Sequence, residues 1–153
     1  MDKLKYSQDL IAEMNRYYEA RAPWHDMYMS YKSPDKMKHL MKPIINKIDN
    51  LIKDKIVMEL ACGTGNWTQI LAEKANHVTA TDFSKTALQI AENKLTGYNN
   101  IILEESDVYN LGNKNQQYEL LFAADWWSHI PYEILPEFIK SCMARLKPSP
   151  DNS

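Results

Sequence analysis

Apolar positions along the chain change their spacing near residue 55, and the change divides the sequence into two kinds of structure. Between Gln8 and Met29 the segment QDLIAEMNRYYEARAPWHDMYM carries Leu10, Met14, Tyr17 and Tyr18 at helical intervals, with Ser7 placed to cap the helix and Pro23 to break it. A second helix is expected from SPDK onward. Ser33 caps it, Pro34 fits its first turn and Asp35 lies near its positive end, while Met37, Leu40, Met41, Ile44, Ile45 and Ile48 carry its apolar spacing. Pro43 falls inside that pattern and should kink or divide it.

Beyond Lys55 short apolar runs alternate with helical ones. KIVMEL (55–60), HVTATD (77–82), NIILEES (100–106) and YELLFAAD (118–125) read as strands. Helices are expected at NWTQILAEKA (66–75), at SKTALQIAENKL (84–95) behind a Ser84 cap, and at YEILPEFIKSCMARL (132–146). Strands that are apolar on both sides and alternate with helices imply a parallel sheet covered on both faces, a doubly wound α/β domain. Residues 1–52 are expected to form N-terminal lid and cap helices, 53–148 the α/β core and 149–153 a tail.

Composition narrows the partners. The 153 residues fit one domain, and a formal net charge of -2 leaves no basic footprint for nucleic acid. No apolar run is long enough to span a bilayer and the N-terminus lacks a signal-peptide core, so a cytoplasmic protein is expected, without a membrane partner. Cys62 and Cys142 form no CxxC pair and read as reduced thiols, and no metal site is expected.

The candidate chemistry centres on VMELACGTGNW (57–67). Gly63 and Gly65 allow a sharp turn and close backbone approach to a ligand beyond the carboxyl end of a strand, with a helix start following at Asn66. A dinucleotide fingerprint would place a third glycine where Thr68 stands, which argues against a nicotinamide or flavin cofactor. Glu59 lies inside the apolar strand, where a carboxylate must be paired or hydrogen bonded. Asp82 ends the second strand about 20 residues beyond the turn, where a carboxylate accepts from a ribose diol. Asp107 follows the third strand and could accept from an adenine amino group. A compact adenosine with an amino-acid tail could use all three acids.

In order and spacing, VMELACGTGNWT, VTATDFS, LEESDVYNL and YELLFAADWWSHIP resemble the first four motifs of the Rossmann-like, class I S-adenosylmethionine-dependent methyltransferases, and YYEARAPWHDMY resembles the lid of their small-molecule branch. The resemblance covers about Tyr17 to Pro148. It implies S-adenosyl-L-methionine as cofactor, with Ala61, Gly63 and Gly65 along its methionine moiety and Glu59 ordering that loop. It also implies that Asp82 holds the ribose, Phe83 packs on adenine, and Asp107 with the backbone of Val108 reads the adenine edge. Ala124 would offer its backbone near the donor's amino group, and Tyr18 and Arg21 would close over the donor, Arg21 pairing with its carboxylate.

Other readings stand beside these. Phe83 could serve as core at a strand-to-helix junction, and Cys62 reads as a packing residue. Trp126 and Trp127, just past a strand end, are placed to wall an acceptor pocket together with Trp24 and Tyr28 of an aromatic lid that also includes Tyr17. His129 is either a general base or a loop-holding residue. In-line methyl displacement needs mostly alignment, and a base only where the acceptor is a hydroxyl that must lose its proton early.

The function expected is therefore methyl transfer to a small-molecule acceptor. The alternatives are a truncated or non-catalytic donor-binding module, and an NAD(P)-dependent oxidoreductase. The resemblance also implies three further strands after RLKP, which SPDNS does not supply. The expected sheet has order 3-2-1-4 with strands five to seven absent, and strand four would be an open apolar edge. A homodimer through that edge or the last helix is expected.

Overall fold

Lys3, Leu4 and Lys5 are good helix formers, and helix α1 (Lys3–Arg21) runs through Ser7 instead of starting at it. Ser7 is buried within the helix and does not cap it. The structure, a computed structural model, describes residues 3–29, 33–111 and 117–148; most of the polar loop before the fourth strand and the expected tail lie outside the described residues. Pro23 ends α1 in a 3-10 turn over Ala22–Trp24, and one further turn of helix, α2 (His25–Tyr28), follows.

Ser33 caps α3 (Pro34–Ile52), its hydroxyl accepting from the Lys36 amide at 3.2 Å. Pro43 does not divide this helix. The missing N–H and the ring clash cost about 3 kcal/mol, and apolar packing opposes that cost: Met37 is fully buried with Trp67 and Ile70, and Met41, Ile45 and Ile48 pack against the same group.

The four strands are β1 (Ile56–Leu60), β2 (His77–Asp82), β3 (Ile101–Glu105) and β4 (Leu120–Phe122). All pair in parallel, in the order β3-β2-β1-β4. Successive residues of β1 serve opposite faces, as the twofold strand period requires. Val57 packs with Ile52, Leu71, Val78 and Ala80, whereas Met58 and Leu60 pack with Val108, Tyr118, Phe138 and Cys142. Between the strands run α4 (Asn66–Ala72) and α5 (Lys85–Lys94), the latter capped by Ser84.

The fourth strand is shorter than its apolar run because Asp125, at φ 55°, turns the chain beyond it. The chain just ahead of it has a neighbour of its own. Leu146 forms a parallel bridge with Tyr118, whose carbonyl accepts from the Lys147 amide at 2.7 Å. The bridge lies ahead of β4, and Leu120–Phe122 itself remains the sheet edge, as expected, with β1 its only strand partner among the described residues. The last helix, α6 (Leu135–Met143), starts later than expected, with Pro136 in its first turn, where a missing N–H costs nothing. Upstream of it lie 3-10 turns at Trp127–His129 and Tyr132–Ile134. Among the described residues no helix is long and apolar enough to cross a membrane.

Candidate active site

At the end of β1 the backbone turns through three positive φ angles, 52° at Ala61, 55° at Gly63 and 82° at Gly65. Ala61 holds a conformation that costs a residue with a Cβ about 1–2 kcal/mol. The two glycines have different tasks. Gly63 has open space around it, and its N–H donates to Asp82 Oδ2 at 2.8 Å. A Cβ on Gly65 would stand 3.0 Å from Leu95 Cδ1 and 3.2 Å from Ala91 Cβ. Gly65 therefore lets α5 approach the turn, and it lies outside the cavity wall that Ala61 and Gly63 share.

The acids around the turn are held by short bonds. Asp82 Oδ1 accepts from the Ser84 amide at 2.9 Å, so each of its oxygens carries one backbone N–H and keeps acceptor capacity. Burial raises its pKa, and the Ser84 and Gly63 amides oppose the rise. Glu59 is buried beneath the turn and accepts from Thr68 Oγ1 at 2.6 Å. Burial pushes its carboxyl up to about 8 against that hydrogen bond, with Asp82 adding to the rise. Thr68, read in the sequence only as a missing glycine, is the partner that Glu59 requires.

A cavity opens at the carboxyl ends of these strands. Glu59, Ala61, Gly63, Asp82, Phe83, Asp107, Val108, Ala124 and Trp126 all line it. From α1 come Ile11, Met14, Asn15 and Tyr18, and from α2 comes His25. The Tyr18 hydroxyl meets His129 Nε2 at 2.9 Å, and both residues face the cavity. Burial raises the Tyr18 pKa, which keeps its proton available for that bond.

Several expected residues lie elsewhere. Arg21 donates to the Tyr17 hydroxyl at 2.8 Å and lies over the Tyr17 ring, outside the cavity wall. Trp24 is 59% exposed and Trp127 is 50% exposed; Trp127 meets Phe138 edge-on, and neither lines the cavity. The Tyr28 side chain lies outside the described residues. Cys62 is buried and faces the cavity, with its thiol pKa raised well above normal by burial, so it is not poised as a nucleophile.

Sequence reading missed His25, Asn66, Trp67 and Tyr109 in the wall, and Asp26 behind it. Trp67 and Tyr109 carried only a helical or loop signal. Both now matter, because Trp67 Nε1 and the Tyr109 hydroxyl are buried with no hydrogen-bond partner among the described residues. Among the described residues no group of His, Cys, Asp and Glu could hold a metal ion.

A parallel sheet of order 3-2-1-4, with a glycine turn after β1 and acids at successive strand ends, defines a Rossmann-like domain whose ligand lies across the strand ends. Residues 57–149 match the methyltransferase domain family, and the chain belongs to it. Its fold is that of the class I S-adenosylmethionine-dependent methyltransferases. The structure of DhpI with SAH superposes at a TM-score of 0.79 and 28% identity, covering 93% of this chain and 66% of that one. A DhpI–SAM–HEP complex gives 0.71 and 29%, covering 91% and 62%. The ubiquinone biosynthesis O-methyltransferase of Coxiella burnetii is 28% identical over 145 residues, which are 90% of this chain. The chain spans 61% of that relative's length.

Proposed function

We propose that this chain binds S-adenosyl-L-methionine and serves methyl transfer to the hydroxyl of a small molecule. One observation carries the reading: Glu59, Gly63, Asp82 and Asp107, from three consecutive strand ends, line a single cavity with Tyr18 and His129. The relatives support it, since the Coxiella protein is named an O-methyltransferase and the DhpI structures contain SAH or SAM. The wall also fits a polar ligand, because the orphaned Trp67 and Tyr109 groups need an acceptor or donor that these residues do not supply.

When bound, the donor supplies a methyl group activated on a sulfonium. Asp82 would take the ribose hydroxyls on its remaining lone pairs, with Phe83 against adenine and Asp107 and the Val108 amide at the adenine edge. Ala61, Gly63 and Ala124 would present backbone to the methionine moiety, while Glu59 holds the turn through Thr68. Arg21, whose guanidinium rests on the Tyr17 hydroxyl, would have to turn from it to pair with the donor's carboxylate. His129 would take the acceptor's proton at Nε2 once the acceptor hydroxyl has replaced the Tyr18 hydroxyl at that nitrogen. Trp126, packed against Tyr109 and Phe138, would keep water from the acceptor side.

Titration calorimetry with S-adenosylmethionine and S-adenosylhomocysteine tests this, with micromolar binding expected and Asp82→Ala weakening both. No response to either ligand in the wild type would overturn it. The division of labour is a lid and cap over 1–52 closing on a core over 53–148.

A second reading, a donor-binding unit acting as a homodimer, is favoured by Ile139 and Met143, both exposed on α6, and by the half-buried Leu120–Phe122 strand at the sheet edge. We place the work in the cytoplasm, supported by two cysteines held as free thiols.

A further inference from the structure

Between the buried Ala22 and the cluster that Met29 joins, the described side chains of the lid include no buried apolar anchor, for Trp24 and Met27 are exposed. Helix α2 is one turn long and cannot hold its own shape. What fixes it is the carboxylate of Asp26. Its Oδ1 accepts from Thr64 Oγ1 at 2.6 Å and from Asn66 Nδ2 at 2.7 Å, and its Oδ2 pairs with Lys94 Nζ at 2.6 Å. Lys94 also donates to Asn66 Oδ1 at 2.8 Å. The neighbouring His25 Nδ1 lies 3.5 Å from Oδ1. Burial alone would push the Asp26 carboxyl up, but the bonds from His25, Lys94, Thr64 and Asn66 outweigh it and hold the pKa well below the usual range.

These contacts join three parts of the molecule at one point. Thr64 stands between the two glycines of the turn, Asn66 starts α4, and Lys94 ends α5. Thr64, Asn66 and His25 also line the cavity, although Asp26 and Lys94 do not. The turn is therefore gripped by two carboxylates, Asp82 at the Gly63 amide and Asp26 at the Thr64 side chain. Lys94 is only 19% exposed, so its pairing is less screened than that of a surface lysine.

We infer that Asp26 is a positioning residue for the donor: with Lys94 it clasps the lid to the glycine turn, so that ligand retention depends on a carboxylate that need not touch the ligand. This rests on the donor-binding reading above. The opposing possibility is a staple that contributes only to folding. A staple would lower the melting temperature of the free protein without changing the ratio between donor KM and kcat.

Calorimetry with S-adenosylhomocysteine on the wild type, Asp26→Asn, Lys94→Met, the double variant and Lys94→Arg separates these outcomes. Each single variant should weaken binding by about tenfold, the scale of a lost hydrogen bond to a charged group. The double variant should be little worse than either single one, because both act through one contact. Lys94→Arg should stay close to wild type. In turnover assays the donor KM should rise with kcat unchanged.

Wild-type affinity in Asp26→Asn, or losses that simply add in the double variant, would overturn the clasp. If Asp26→Asn fails to fold, the comparison of Lys94→Met with Lys94→Arg still decides it, since equal affinity in those two also overturns it. A wild type that binds no donor would instead strike the functional reading. In that case hydrogen exchange at residues 63–66 decides the clasp: faster exchange in Asp26→Asn supports it and unchanged exchange refutes it.

Discussion

Glu59 and Thr68 lie nine residues apart, and each is explained by the other. The buried carboxyl keeps its proton up to about pH 8, whereas in the unfolded chain it ionises near pH 4.3. Between those limits the native state holds a proton that the unfolded state has lost, so stability falls as pH rises. The slope from this one group should approach roughly 1.4 kcal/mol per pH unit. Denaturant unfolding of the wild type and Glu59→Gln from pH 5 to pH 8 checks it, with the slope largely absent in the variant. Two substitutions in the turn should act in opposite directions. Ala61→Gly relieves a positive φ and should stabilise by about 1 kcal/mol. Gly65→Ala adds both strain and a contact at 3.0 Å with Leu95, and should destabilise by about 2 kcal/mol or more. Thermal unfolding distinguishes them. Glu59, Asp82 and Asp107 were legible in the sequence because a carboxylate at a strand end breaks an apolar pattern. Asp26 was not, because an acid in a polar helix breaks nothing, and its partners lie 38 to 68 residues away.

At the scale of elements, packing decides where local signals compete. The Ser33 and Ser84 caps formed as their sequences indicate, because a cap depends only on its own next turn. Ser7 did not act as expected and Pro43 did not divide its helix, since Lys3–Lys5 extend α1 and the buried face of α3 carries it past the proline. Pro43→Ala should therefore stabilise the protein by about 1–3 kcal/mol, read as a shifted denaturant midpoint at constant slope. The lid's chemistry was half legible: Tyr18 and His129 were both candidates, but their pairing over a separation of 111 residues was not readable from either segment. For a hydroxyl acceptor, His129→Ala should slow turnover by about a hundredfold or more. Its affinity for S-adenosylhomocysteine should change much less, which calorimetry can verify.

The order of the sheet was the most legible property of the whole molecule, since alternating strands and helices leave few ways to wind a parallel sheet. The conformation of the chain beside β4 was not legible, because the Tyr118–Leu146 bridge is too short to leave a periodic signature. If α6 and the β4 edge join two copies, light scattering should report twice the monomer mass, and Met143→Glu should halve it. The contact between Tyr18 and His129 also has a temporal consequence. It spans the cavity from α1 to the turn after β4, so a ligand that enters or leaves through this face must part the two rings first. Exchange would then follow the lid's own opening frequency, on the microsecond-to-millisecond scale of such motions, and Tyr18→Phe should quicken product departure even as it loosens the closed state.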